Sequence, residues 1–164
     1  MDKKIIIING SGGVGKDTFV DFCKEFTDVK NISSVDKVKE AAKVLVGWNG
    51  EKDEKTRKLL ADLKQISIDY NNYPLQYISN QAEEFRKNEN ENIMFVHIRE
   101  ISEIEKVKKA INAKTLLITN NRIPKIETNT ADANVENFNY DYHVENNGTL
   151  DELREKAKKF ILEG

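Results

Sequence analysis

Four consecutive isoleucines, Ile5 to Ile8, run directly into Asn-Gly-Ser-Gly-Gly-Val-Gly-Lys-Asp-Thr, and this junction constrains the fold more than any other feature of the 164 residues. A short β-branched apolar run suits a strand buried on both faces of a sheet. Beyond the glycines, Phe19, Phe22, Cys23 and Phe26 recur at helical spacing and mark one face of a helix. Gly10, Gly15 and Lys16 therefore stand at the spacing of a phosphate-binding loop, between a strand and a helix. Glycines permit positive φ and close backbone approach, so successive N–H groups can converge on phosphate oxygens. The helix start adds the positive end of its dipole. Lys16 supplies a compact cation within reach of the β- and γ-phosphates. The nucleotide is thus assigned to Gly10, Ser11, Gly12, Gly13, Val14, Gly15, Lys16, Asp17 and Thr18. Ser or Thr commonly follows the lysine and holds Mg²⁺. Here Asp17 follows and the hydroxyl comes one place later, so Asp17 and Thr18 are the metal candidates.

The rest of the chain alternates short apolar runs with longer amphipathic ones. Strands are expected at Val29 to Ser33, Ile93 to Ile98, Thr115 to Thr119 and Tyr142 to Glu145. Helices are expected from Val35 to Val46, from Asp53 to Asn71, onward to Lys87, and from Ser102 to Asn112. Gly47 stops the first of these, and Asn71-Asn72-Tyr73-Pro74 breaks the second. Polar residues 120–139 form a long excursion, and Thr149 with Glu152 three residues on signals the cap of a closing helix. Strand and helix in alternation imply a parallel sheet with right-handed crossovers and helices on both faces. Ligands of such sheets bind at the carboxyl ends of the strands. The length fits one domain, residues 1–164.

Charge narrows the partners. The 26 basic and 28 acidic residues are intermixed, for a net charge of -2, so no global field recruits nucleic acid. The single cysteine, Cys23, can form neither an intrachain disulfide nor a zinc site, and reads as a packed thiol in a reducing compartment. The early apolar run is far short of the roughly 20 residues that span a bilayer. No membrane association is expected, and the cytoplasm is the expected location.

Gly15-Lys16-Asp17-Thr18 is similar to the loop of phage-type deoxynucleoside monophosphate kinases, within the nucleoside monophosphate kinase branch of the P-loop proteins. Ser33 to Ala42 resembles that family's second strand leading into an acceptor-side helix, and Arg57-Lys-Leu-Leu60 resembles its arginine-led helix. His97-Ile-Arg-Glu-Ile-Ser-Glu103 resembles its strand-end motif of Asp, an apolar residue, Arg and a later Glu, with His97 in place of the Asp. Asn146 to Leu153 resembles its last strand-to-helix corner. The resemblance implies a three-layer α/β P-loop fold with a five-stranded parallel sheet flanked by helices. It also implies ATP and Mg²⁺ as cofactors, acceptor-binding helices over about 35–90, and a lid-like segment over about 120–139 that includes Arg122.

Within that frame Asp36 has two readings, a carboxylate that orients the acceptor or holds Mg²⁺ through water, and a helix N-cap. It is expected at the end of the second strand, beside the strand of the glycine loop. Lys37 and Lys39 either meet an acceptor phosphate or are solvated. Arg57 and Arg99 are candidates for bidentate phosphate contacts, because this chain is rich in Lys and poor in Arg. Lys16, Asp36, Arg99 and Arg122 form the expected catalytic set, and Asp36, Lys39, Arg57 and Arg99 the acceptor set. Trp48, Tyr70, Tyr73 and Tyr77 either stack a base or fill the core edge, and His97 and His143 read as packing histidines. The expected function is transfer of the γ-phosphoryl of ATP to a small phosphorylated acceptor, first a (deoxy)nucleoside monophosphate. The alternatives are a phosphorylated isoprenoid or coenzyme A precursor as acceptor, or a regulatory protein that binds nucleotide without transfer.

Overall fold

The computed structural model describes residues 2–123 and 135–163. Five strands, β1 (Lys4–Asn9), β2 (Val29–Ser33), β3 (Ile93–His97), β4 (Lys114–Thr119) and β5 (Tyr142–Glu145), form one sheet in the order β2-β3-β1-β4-β5. Every neighbouring pair is parallel. The helices among the described residues are α1 (Lys16–Cys23), α2 (Asp36–Val46), α3 (Glu54–Asn71), α4 (Tyr73–Lys87), α5 (Ile101–Ile111) and α6 (Leu150–Glu163).

The sheet separates two cores. Ile6, Ile8, Phe95, Leu116 and Ile118 pack with Phe19 of α1 and with Leu153, Ala157 and Ile161 of α6. Ile5, Ile7, Met94, Val96 and Leu117 pack on the other face with Ile78 and Phe85 of α4 and with Ile104 and Val107 of α5. Alternate residues of the same strand serve opposite faces, which is why β1 and β3 carry long apolar runs without interruption.

Strand order corrects one expectation. β2 does not lie beside β1, because β3 stands between them, with His97 paired to Ile8 on one side and to Ser33 on the other. The physical reason lies in composition. Ile93-Met-Phe-Val96 is buried on both faces and suits a central position, whereas β2 carries Lys30 and the exposed Asn31 and suits an edge.

Helix α3 is the exception to the packing. Its apolar positions recur at helical spacing, yet none of its 18 residues is buried. Asp53 caps it by accepting from Thr56 N at 2.7 Å, and Asn72 ends it in the left-handed conformation. At the other end of the chain Thr149 Oγ1 accepts from Glu152 N at 3.2 Å, the cap that the sequence signals for α6.

Candidate functional site

The glycine loop leaves β1 at its carboxyl end. Gly10, Gly13 and Gly15 have φ of 155°, 83° and 104°. A Cβ on Gly10 would lie 2.5 Å from the carbonyl oxygen of Ile118, so the loop passes too close to β4 for any side chain there. Asn9, fully buried, holds the exit from the strand. Its Oδ1 accepts from Gly10 N at 2.9 Å, and its Nδ2 donates to Arg99 O at 3.2 Å and to Tyr140 Oη at 3.1 Å. Val14 N donates to Ser11 O at 3.3 Å, and Asn146 Nδ2 donates to Val14 O at 2.8 Å. The loop is thereby tied to the ends of β3 and β5. Lys16 opens α1 and donates from Nζ to Gly10 O, so its ammonium lies over the loop. Asp17 is exposed in the first turn of α1, and Thr18 is half-buried.

A second group of side chains gathers at the ends of β2 and β3. Asp36 is the first residue of α2, and its Oδ2 accepts from Ser33 N at 2.9 Å and from the Tyr77 hydroxyl at 2.9 Å. The N-cap reading of Asp36 fails, because Val35 holds that position and no side chain caps the helix. The carboxylate instead faces back toward the strand and across to α4. Burial, followed by the hydrogen bond and charge of Asp36, raises the Tyr77 phenol above the ordinary range, so it stays a donor.

His97 lies between the two groups. Its Nε2 is 2.8 Å from Asn31 Oδ1. Burial is the largest influence on the ring and lowers its pKa, with Asp17 and Asp36 acting against that and Lys16 and Lys39 with it. In the sheet His97 is paired with Ile8 of β1 and Ser33 of β2, so it stands between the strand that leads into the glycine loop and the strand that leads into α2.

Between α2, α3 and α4 opens a cavity of about 400 Å³, with Val38, Leu63, Ile66, Tyr70, Tyr73 and Tyr77 in its walls. The three tyrosines singled out in the sequence converge on this one space, while Trp48 lies in the α2–α3 connection and donates from Nε1 to Glu51 O at 2.9 Å. Ser34 lines the cavity where it meets β2 and accepts from Lys64 Nζ at 3.2 Å. Lys64 also pairs with Glu103 at 2.5 Å, both side chains 15% exposed. Sequence reasoning misses Lys64, one lysine among many on an amphipathic helix. Glu103 has a signal, as the later Glu of the strand-end motif.

The remaining candidates are dispersed. Lys39 is exposed on α2, and Arg57 is exposed on α3. Arg99 is exposed just past β3. Arg122 donates from Nη2 to Gly148 O at 3.1 Å and from Nε to Asn120 Oδ1 at 3.4 Å, beside the loop that follows β5. Most of the expected lid, residues 124–134, lies outside the described residues. Cys23 is buried in the core, and burial pushes its thiol up to about 12. His143 is exposed, its ring edge-on to Tyr140. No group of three or more His, Cys, Asp or Glu side chains able to hold a metal occurs among the described residues, and no helix there is long and apolar enough to cross a membrane.

Strand order, glycine loop and flanking helices together are the five-stranded parallel α/β fold of the P-loop kinases. Solved structures of the same fold include the tunicamycin resistance protein of Deinococcus radiodurans, at TM-score 0.60 and 12% identity over 98% of this chain and 96% of that one. Dephospho-CoA kinase from Campylobacter jejuni follows at TM-score 0.59 and 18% identity over 98% and 96%. Shikimate kinase from Aquifex aeolicus is similar at TM-score 0.54 and 12% identity over 96% and 95%. No protein-family model matches the chain, and no curated protein does. At such identities the likeness is one of fold.

Proposed function

We propose that this chain, as one kinase-like domain, transfers the γ-phosphoryl group of ATP to a small phosphorylated acceptor, for which a (deoxy)nucleoside monophosphate is the best fit. One observation carries the reading. His97 is paired with Ile8, at the end of the strand that runs into the glycine loop, and with Ser33, whose N–H is held by Asp36, while Tyr77 joins Asp36 to an aromatic-walled cavity. A donor nucleotide on the loop and an acceptor in the cavity then meet near His97, at the carboxyl ends of β1 and β3.

Backbone N–H groups of residues 10–16 bind the phosphates, and Lys16 swings from Gly10 O to follow charge onto the β–γ bridging oxygen as that bond breaks. An acceptor oxygen forms the new bond to the γ-phosphorus. Asp36 orients that oxygen or takes its proton, with Tyr77 fixing the carboxylate. Lys39, Arg57 and Arg99 are the cations available to the acceptor phosphate, and Arg122 to the transferring group. Asp17 and Thr18 offer the oxygens for Mg²⁺, which supplies neutralisation of the phosphate charge when bound. The carboxylate of Asp17 and the hydroxyl of Thr18, both in the first turn of α1, are oxygen donors of the kind Mg²⁺ would take. Tyr70, Tyr73 and Tyr77 give a planar base faces to stack on. A reducing, cytoplasmic setting accords with the single buried thiol.

Phosphorylated isoprenoids and coenzyme A precursors are the alternative acceptors. Nucleotide binding without transfer is the rival from another class, and His97 in the position of a carboxylate favours it. A coupled ADP-release screen decides among them. Monophosphates should outperform their unphosphorylated parents, equal turnover would remove the phosphate requirement, and ATP binding with no turnover on any acceptor would leave the regulatory reading.

A further inference from the structure

Asn9 ends a strand otherwise built of isoleucine and one lysine, and it is 1% exposed. Asparagine is disfavoured in strands, and a buried amide costs free energy wherever its hydrogen bonds are not made. Here they are made, and they have a direction. Gly10 N donates to Asn9 Oδ1 at 2.9 Å, Asn9 Nδ2 donates to Tyr140 Oη at 3.1 Å, and Tyr140 Oη donates to Val135 O at 2.6 Å. Asn9 Nδ2 also donates to Arg99 O at 3.2 Å. The carboxamide cannot turn over. An exchange of its oxygen and nitrogen would set N–H against N–H at Gly10 and oxygen against oxygen at Arg99.

The bonds from Gly10 to Val135 form a chain whose donors all point the same way. Bonds in such a row polarise one another, and inside a protein each is stronger than in water. Tyr140 and Val135 are each buried, so water competes little for the chain. Burial also raises the Tyr140 phenol, which keeps its hydrogen and remains a donor to Val135. Gly10 is where the loop leaves the strand, and the direction of its peptide governs where the N–H groups after it converge. Asn9 holds that peptide, and Tyr140 holds Asn9. No local feature of the loop points to Tyr140, which stands 131 residues from Asn9, just before β5.

We infer that Tyr140 is a positioning residue of the nucleotide site, acting through Asn9 on the first peptide of the glycine loop. The inference rests on reading that loop as the phosphate site for ATP. The Tyr140 hydroxyl is engaged by Asn9 and Val135, so it acts on the nucleotide by way of the loop. Affinity for ATP is thereby coupled to the segment 135–140, which carries the far end of the chain.

The test is calorimetric titration of the full chain with ATP and Mg²⁺, well below the melting temperature. The proteins are the wild type, Tyr140→Phe, Asn9→Ala and the double variant, with Phe138→Leu as the control for packing. Phe138 lies edge-on to the Tyr140 ring at 5.0 Å and has no polar group with which to join the chain. Tyr140→Phe keeps the ring and removes the two bonds of the hydroxyl. ATP should bind it about fivefold more weakly, the scale of one lost hydrogen bond. Asn9→Ala should weaken ATP by about tenfold or more, since it removes the bond to Gly10 as well. The double variant should be no weaker than Asn9→Ala, because members of one hydrogen-bonded network do not add. Phe138→Leu should lower the melting temperature and leave ATP affinity unchanged. Wild-type ATP affinity in Tyr140→Phe overturns the inference. Equal weakening by Phe138→Leu, or full addition of the two losses in the double variant, does the same. Where Asn9→Ala does not fold, Tyr140→Phe against Phe138→Leu decides alone. A wild type that binds no ATP overturns the nucleotide-site reading, and the inference with it.

Discussion

Tyr77 of α4 donates its hydroxyl hydrogen to Asp36 Oδ2 at 2.9 Å, and Ser33 N donates to the same oxygen at 2.9 Å. The carboxylate is therefore held by the strand end and by a cavity wall at once, so an acceptor that presses on Tyr77 acts on Asp36. Tyr77→Phe removes the donor and keeps the ring. Stability should fall by about 1 kcal/mol, the usual worth of such a bond. Turnover should fall with little change in ATP affinity, and steady-state kinetics beside urea denaturation separate the two effects.

Asp36→Asn keeps shape and removes charge. If Asp36 orients or deprotonates the acceptor, kcat should drop by about 10²-fold or more, the scale of a lost general base. ATP affinity should hold, because the nucleotide contacts belong to the glycine loop. Unchanged turnover would reduce Asp36 to a tie between Ser33 and Tyr77.

His97 gives stability a pH dependence. Burial depresses its folded-state pKa below the unfolded value near 6.5, so the unfolded chain takes up a proton at a higher pH than the folded one. The stability this group contributes is present above about pH 6.5 and is lost as pH falls from there toward the lower folded value. Urea midpoints measured at about pH 7.5 and 5.5, on either side of that value, should show the fall, and His97→Gln should reduce it. A variant with the same pH slope as the wild type would remove His97 as its source.

Gly10→Ala tests the closeness of the loop to β4. The added Cβ would meet a backbone oxygen at 2.5 Å and Val14 Cγ2 at 2.8 Å. The oxygen belongs to Ile118, a buried residue of the paired strand β4, and cannot turn aside, so the loop must move. A stability loss of about 2 kcal/mol is expected, on the scale of local backbone strain, together with weakened nucleotide binding. Thermal denaturation with and without ATP reads both.

Local chemistry is legible in the sequence, and long-range chemistry is not. The strand at Tyr142 to Glu145, the cap at Thr149 and the glycine loop follow from residues close in the chain, where periodicity and turn preference act directly. The insertion of β3 between β1 and β2 is decided by pairing between segments far apart in the chain, so a local reading puts Asp36 one strand too near the loop. α3 shows why an apolar stripe overstates burial. Leu63 and Ile66 line a cavity, giving the spacing of a core helix without a core. Lys64 has no local mark, because its meaning comes from Glu103 on another helix.

Lys16 carries the central claim. Calorimetric titration of the full-length chain with ATP and Mg²⁺ should show one site per chain and a higher melting temperature through mass action on the folded state. Lys16→Ala should weaken binding with the fold intact, since its ammonium sits over the loop, on the carbonyl of Gly10, rather than in either core. No binding of ATP, ADP or GTP to the wild type at millimolar concentration would contradict the nucleotide site itself, and with it the phosphotransferase reading.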